Sequence, residues 1–205
     1  MPESPEEIHA RIVAAAGPGG RLPMPPVAEW DDLPWEVVDG ALAAKEIGEP
    51  LAAEAPRRGA GGEACPTCSG DPERVKVWES WNFHVARPGR PSGLPLVLWL
   101  QSNEHMDYTE MGDDQAAELG RLTVWLTRIM ERMPHIGRVH VSRWGDGEEH
   151  LRVWFVARPE RLRHVNGSLA VEWDEMLPPT PEAVWLGDVA TVVSKLTTHD
   201  GRSLV

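Results

Sequence analysis

Apolar positions fall into two periods along this chain. Between about Asp113 and Met133, the residues Leu119, Leu122, Leu126, Ile129, Met130 and Met133 recur at intervals of mostly three and four, the spacing of one helical face. Asp113 and Asp114 suit the positive end of such a helix, and Pro134 closes it. Pro95–Gln101 is instead continuously apolar over the length of a strand, which predicts a central position in a sheet. Arg74–Trp81, rich in β-branched and aromatic residues, predicts a second strand. Arg138–Trp144 alternates, Gly145-Asp146-Gly147 turns, and Glu149–Ala157 returns, so 138–157 is predicted as a β-hairpin. A further strand is predicted over Ser168–Trp173. Thr180-Pro181-Glu182 opens a terminal helix, with Thr180 as cap, Pro181 first in the helix, and Trp185, Val189, Val192, Val193 and Leu196 as its apolar face. Strands in hairpin order with packed helices predict an α+β fold around an antiparallel β-sheet.

The first 64 residues follow another pattern, rich in Pro, Ala, Gly and Glu. Ile8–Ala16 can form a short helix before Gly17-Pro18-Gly19-Gly20 and Pro23-Met24-Pro25-Pro26 break the chain. Trp30, Leu33 and Trp35 look like anchors that pin an extended arm to a body, Val37–Ile47 can add an edge strand, and Glu49–Gly62 is a linker. The expected division is an N-terminal arm over 1–64, packing on a domain over 65–205 with a strand and helix at its C-terminal end.

The 205 residues suffice for one good-sized domain and carry a net charge of −12, which argues against an electrostatic grip on nucleic acid or an anionic membrane. No signal-like N-terminus and no membrane-length apolar run are present, so the expectation is a cytoplasmic protein with reduced thiols. Ten Trp against one Tyr and two Phe is unusual. Indoles mostly fill cores, and a subset can line a pocket.

Candidate chemistry begins with the two cysteines, Cys65 and Cys68, in a Gly- and Pro-flanked C-x-x-C knuckle. A closed zinc site needs four nitrogen or sulfur ligands, so two histidines must join them. His105 ends the apolar run from Leu96, and His150 opens the return strand. A redox dithiol is the alternative, although the turn-like flanks lack the strand and helix it needs; two incidental thiols are the third reading. Along the return strand alternate side chains share a face. His150, Arg152, Trp154 and Val156 point one way, and Leu151, Val153, Phe155 and Ala157 point the other way into a core.

His150-Leu151-Arg152-Val153-Trp154-Phe155-Val156-Ala157-Arg158 resembles the H-φ-H-φ-H-φ-φ signature of the histidine triad superfamily, which includes the galactose-1-phosphate uridylyltransferase branch. Leu96–His105 resembles the family's apolar strand ending in His, and Met106–Leu122 its acidic loop and long helix, so the likeness covers roughly 65–160. The resemblance implies a histidine triad fold with a structural zinc held by Cys65, Cys68, His105 and His150, and commonly a homodimer. It also implies a nucleotide or phosphosugar ligand. The departures matter equally. Arg152 stands where the nucleophilic His belongs, Trp154 replaces the third His, and Glu148 and Glu149 replace the donors that precede the triad, where carboxylates are expected to repel a phosphate. A permanently protonated guanidinium cannot attack phosphorus, so transfer through a covalent histidine is expected to be lost.

Three functions follow as expectations. The first is a binding protein whose pocket has Arg152 and Trp154 as floor, Trp144 as wall and Asn82 as a further contact. The second is a nucleotide hydrolase or nucleotidyltransferase using another base, such as His84 or His140. The third is a structural partner protein whose arm docks through Trp30 and Trp35. An open cavity at Arg152 favours the first two, and an Arg152 plugged by Glu148 or Glu149 favours the third.

Overall fold

The computed structural model describes residues 2–24, 33–46, 48–162, 164–167 and 177–205. Trp30 and the strand expected over 168–173 lie outside the described residues. Among the described residues the chain forms an α+β fold whose main sheet is antiparallel. The elements are α1 (Pro5–Ala15), β1 (Trp35–Val38), β2 (Ala41–Ala44), the one-turn α2 (Pro66–Ser69), β3 (Arg74–Glu79), β4 (Phe83–Pro88), β5 (Leu96–Ser102), α3 (Asp113–Glu131), β6 (Ile136–Ser142), β7 (Arg152–Pro159), α4 (Glu182–Thr197) and β8 (Arg202–Ser203). Strands of the main sheet lie in the order β6-β7-β5-β4-β3-β8, with every neighbour antiparallel.

The inner face carries the core. Leu98 and Leu100 of β5, Phe83 and Val85 of β4, and Val153, Phe155 and Ala157 of β7 pack against Leu122, Leu126 and Met130 of α3 and Trp185, Val189 and Val192 of α4. A register shift between Lys76 and Trp78 turns both Val77 and Trp78 inward. Trp78 also explains Gly201, which has φ +71: a Cβ there would stand 2.3 Å from the indole. The outer face has a smaller cluster of Leu94, Val97, Val156, Val165 and Leu177, against which Ile12 of α1, Leu22 and Trp154 pack. Helix α1 is closed by a capping box between Ser4 and Glu7 and strapped down by Arg11, which donates to the carbonyls of Pro178 and Pro179.

Several sequence expectations shift. β4 was not foreseen; it pairs both β3 and β5 and brings His84 onto the outer face. Among the described residues, 37–46 does not extend the main sheet, and Ile47 lies outside them. The segment joins Trp35 in a separate two-stranded hairpin, on which Trp35 is 41% exposed rather than anchored in a core. Thr180 does not cap α4. Its hydroxyl donates to the carbonyl of Leu94 at 3.0 Å, tying the approach to the helix to the start of β5, and Pro181 takes the cap position.

Candidate metal centre and the sheet face beside it

β5 and β7 are neighbours, paired Leu100 to Val153 and Gln101 to Arg152. His105 lies just past the end of β5, and His150 just before the start of β7, so antiparallel pairing puts both at the same end of the sheet. The C-x-x-C turn closes over that end. Gly59, at φ +81, takes a backbone conformation that side chains rarely adopt, and a Cβ there would crowd Cys65, 3.1 Å from its Cα. Gly62 and Ala64 also take positive φ, and Gly70 caps α2 in the left-handed region. The flanks therefore turn sharply, as a two-thiolate knuckle requires.

The ligand atoms of Cys65, Cys68, His105 and His150 all lie within 4.8 Å of one another. Cys65 Sγ stands 3.4 Å from His150 Nδ1, and Cys68 Sγ stands 3.5 Å from His105 Nδ1 and 3.6 Å from His150 Nδ1. In a tetrahedral centre with bonds of about 2.3 Å to sulfur and about 2.0 Å to nitrogen, sulfur and nitrogen ligands stand about 3.5 Å apart. The second contacts agree. His150 Nε2 donates to the carbonyl of Ser102 at 3.0 Å, which leaves Nδ1 with its lone pair facing the thiols. Burial pushes the His150 ring below its ordinary pKa, so it presents a neutral donor at pH 7. Burial, and then Cys65, push the Cys68 thiol up, as expected where a cation has to offset paired thiolates.

Two ionic clusters fix this corner. Asp107, just after His105, pairs with Arg57 at 2.7 Å and with Arg143. Burial alone would raise its carboxyl; the Tyr108 amide and both guanidinium groups outweigh that and hold it low. Glu148 pairs with Arg74, Nη1 at 2.7 Å and Nη2 at 2.5 Å, with Arg152 at 3.6 Å and with Arg58 at 3.9 Å. Burial pushes the Glu148 carboxyl up, but the bonds from Arg74 and the charges of Arg152, Arg74 and Arg58 leave it below the ordinary range. The reading of Glu148 as a group that repels anions is thus corrected: three guanidinium groups surround one carboxylate. Glu149 is also engaged, accepting from the Gly61 amide at 3.0 Å and from Arg57 at 3.5 Å.

The expected binding residues separate into two places. Arg152, Trp154 and Trp144 come together: the Arg152 guanidinium stacks over Trp154 at 4.9 Å and over Trp99 at 5.7 Å, and Trp154 meets Trp99 and Trp144 edge-on. Arg152 is held by Glu148 and does not line the neighbouring cleft formed by Thr67, Arg74, Lys76, His84 and Gln101. Asn82 lies elsewhere, donating to Glu118 of α3 at 2.6 Å. Sequence reasoning did not single out Lys76, Gln101 or Trp99. Their register beside Arg152 and Trp154 on β5, and next along on β4 and β3, was the available signal.

Of the two expected bases, His84 shares this face and His140 lies on β6 opposite Val156, its Nε2 buried without a partner among the described residues. No helix among the described residues is long and apolar enough to cross a membrane.

Comparison with known proteins gives structural likeness alone. No family model and no curated protein sequence matches the chain. A zinc-bound histidine triad family protein from Mycobacterium smegmatis overlays with 16% identity and a TM-score of 0.48, covering 66% of this chain and 98% of that one. A histidine triad protein from Marinobacter aquaeolei overlays with 17% identity and a TM-score of 0.49, covering 62% of this chain and 90% of that one. A hypothetical histidine triad nucleotide-binding protein from Sulfolobus tokodaii gives 15% identity and a TM-score of 0.47, covering 65% and 91%.

Proposed function

We propose that this chain is a zinc-stapled binding protein of the histidine triad type that does not carry out transfer through a covalent histidine. The observation that supports it most is the convergence of Cys65, Cys68, His105 and His150, with sulfur-to-nitrogen separations of 3.4, 3.5 and 3.6 Å, next to a strand that bears Arg152 where the family places its nucleophile. Zinc suits two thiolates and two imidazoles. When bound it would supply a structural cross-link between the knuckle and the β5 and β7 ends, with all four positions taken by protein. Arg152 is a charged donor with no lone pair to offer phosphorus.

The same face keeps the character of a binding surface. Arg58, Arg74 and Arg152 outnumber Glu148 and Asp71 by one charge, and Trp99, Trp144 and Trp154 supply flat apolar walls. A small anionic ligand fits that chemistry, and the resemblance implies a nucleotide or phosphosugar. The uridylyltransferase branch and a homodimer come from the resemblance alone, and sedimentation of the purified chain tests the second.

Calorimetry with adenosine and uridine monophosphates, beside incubation with a labelled nucleotide, tests the reading. Micromolar-to-millimolar binding of a nucleotide or another small anion, without covalent label, is the expected outcome. Label attached to the protein, or turnover, contradicts the loss of transfer. One observation favours the alternative of a purely structural protein: Glu148 already occupies Arg152. That alternative predicts no anion binding to the folded, metal-loaded protein.

A further inference from the structure

Beside the metal corner the outer face opens into a cleft of about 250 Å³, lined in part by Thr67, Asp71, Arg74, Lys76, His84 and Gln101. Its donors and acceptors can be assigned one by one. Asn103 Nδ2 donates to the carbonyls of Ser80 and Trp81, both at 3.0 Å, so the amide oxygen is the atom that faces His84. That oxygen only accepts, so His84 Nδ1 carries the hydrogen and donates across 3.0 Å. In the neutral ring Nε2 is then a bare lone pair.

Gln101 is 1% exposed. Its Nε2 donates to Thr67 Oγ1 at 2.8 Å, and its Oε1 is buried with no hydrogen-bond partner among the described residues. His84 and Gln101 sit at paired positions on neighbouring strands and their side chains interact, and with the ring neutral and its hydrogen on Nδ1 the buried Gln101 Oε1 is left without a donor. An orphaned buried acceptor is a standing cost that a ligand hydroxyl relieves.

The opposite inventory is equally short. Thr67 Oγ1 accepts from Arg74 at 2.9 Å and from Gln101, which leaves its O–H free to donate. Lys76 lies near enough to His84 to disfavour its charged form, and its ammonium makes no ion pair among the described residues. Arg74 is committed, with both Nη atoms on Glu148 and its Nε beside Asp71 at 3.6 Å.

We propose that this cleft binds a small hydroxycarboxylic acid as a monoanion, its carboxylate on Lys76 and the Thr67 hydroxyl and its own hydroxyl donating to Gln101 Oε1, beside the His84 ring. One uncommitted cation matches one negative charge, whereas a phosphate dianion would need the Arg74 fork that Glu148 holds. The volume falls below the roughly 300–1,000 Å³ of pockets for drug-sized ligands, which suits a molecule of a few carbons rather than a whole nucleotide. The proposal rests on the reading of the outer face as a binding face and changes the ligand class assigned to it.

The test is calorimetric titration of glycerate, propionate and inorganic phosphate into the zinc-loaded full chain, with the ¹⁵N shift of the His84 ring as a second readout. Glycerate is expected to bind and to move that shift, with propionate about ten-fold weaker for want of the hydroxyl. Lys76→Met, at an exposed position, is expected to weaken glycerate by about ten-fold or more at unchanged melting temperature and zinc content. Gln101→Met is expected to narrow the preference for glycerate over propionate.

Glycerate binding untouched by Lys76→Met, as direct chelation of the metal would produce, overturns the proposal. Equal binding of propionate, or tighter binding of phosphate, does so too. If a nucleotide binds instead and Arg152→Met abolishes it while Lys76→Met does not, the cleft assignment falls and the binding-protein reading stands. Absence of any anion binding to the folded, metal-loaded chain overturns both.

Discussion

The two faces of β7 differ in how their side chains find partners. Inward, Leu151 just before the strand and Val153, Phe155 and Ala157 along it belong to the apolar core, and all four are buried. Outward, Arg152 and Trp154 meet particular groups outside their own strand: Glu148 in the preceding loop, Trp99 on β5 and Trp144 beyond β6. The inner face needs only shape and apolarity, which the alternation of the strand supplies directly. The outer face needs particular partners, and each polar group there is costly until that partner is present. Substitutions on the inner face should therefore shift stability alike at every pH and leave metal content alone. Those on the outer face should alter metal content, pH dependence or binding.

The largest expected effect lies at the corner where the outer face meets the knuckle. Chelation of the metal, or Cys65→Ser, is expected to lower stability by more than any single core truncation, because metal affinity is folding free energy at a closed site. Denaturant melts with and without chelator measure it, and coincident melts would break the contrast at its strongest point. On the inner face, Phe155→Ala is expected to cost about 3–5 kcal/mol, equally at pH 5 and pH 8, with zinc content unchanged.

Next comes Glu148→Gln, expected to cost about 3 kcal/mol because three guanidinium groups lose their buried counter-charge. The Glu148 carboxyl is held below its ordinary value, so its contribution is full above pH 4.5 and is lost as pH falls below that. The variant should differ from wild type at pH 7 and converge with it in strong acid.

His84 gives the sharpest pH signature. Burial, and then Lys76, hold its ring neutral down to about pH 4, against an ordinary value of 6.5. The unfolded chain takes up this proton first as pH falls, so stability is full above pH 6.5 and declines between 6.5 and 4. Melts of wild type and His84→Gln across that window should diverge by roughly 3 kcal/mol, with wild type losing more. Parallel curves would mean that His84 titrates alike in the folded and the unfolded chain, and wild type losing less than the variant would mean that the folded chain favours the charged ring.

The smallest effect is expected at Trp144, 48% exposed and touching Trp154 edge-on. Trp144→Ala should cost about 1 kcal/mol and leave zinc in place.

The same asymmetry sets what the sequence could show. Long helices and central strands carry a period, so α3, β5 and the β6–β7 pair were legible from apolar spacing to within a few residues of their observed bounds. The four metal donors were legible for a related reason: antiparallel pairing brings strand ends together, and a C-x-x-C needs two partners. β4 was hidden because its outward residues, His84 and Ala86, give no strand signal alone. Glu148 was misjudged because one of its partners, Arg74, lies 74 residues away and nothing local announces the pairing. The tautomer of His84 depends on how Asn103 is held by two carbonyls, a relation no period encodes.

The most direct test of the central claim is elemental analysis of the untagged chain beside Cys65→Ser and His150→Ala. One zinc per chain, lost in both variants, is the predicted result. A folded wild-type chain carrying well under one metal, with a melting temperature that Cys65→Ser does not change, would contradict the zinc-stapled account and return the cysteine pair to a redox or incidental reading.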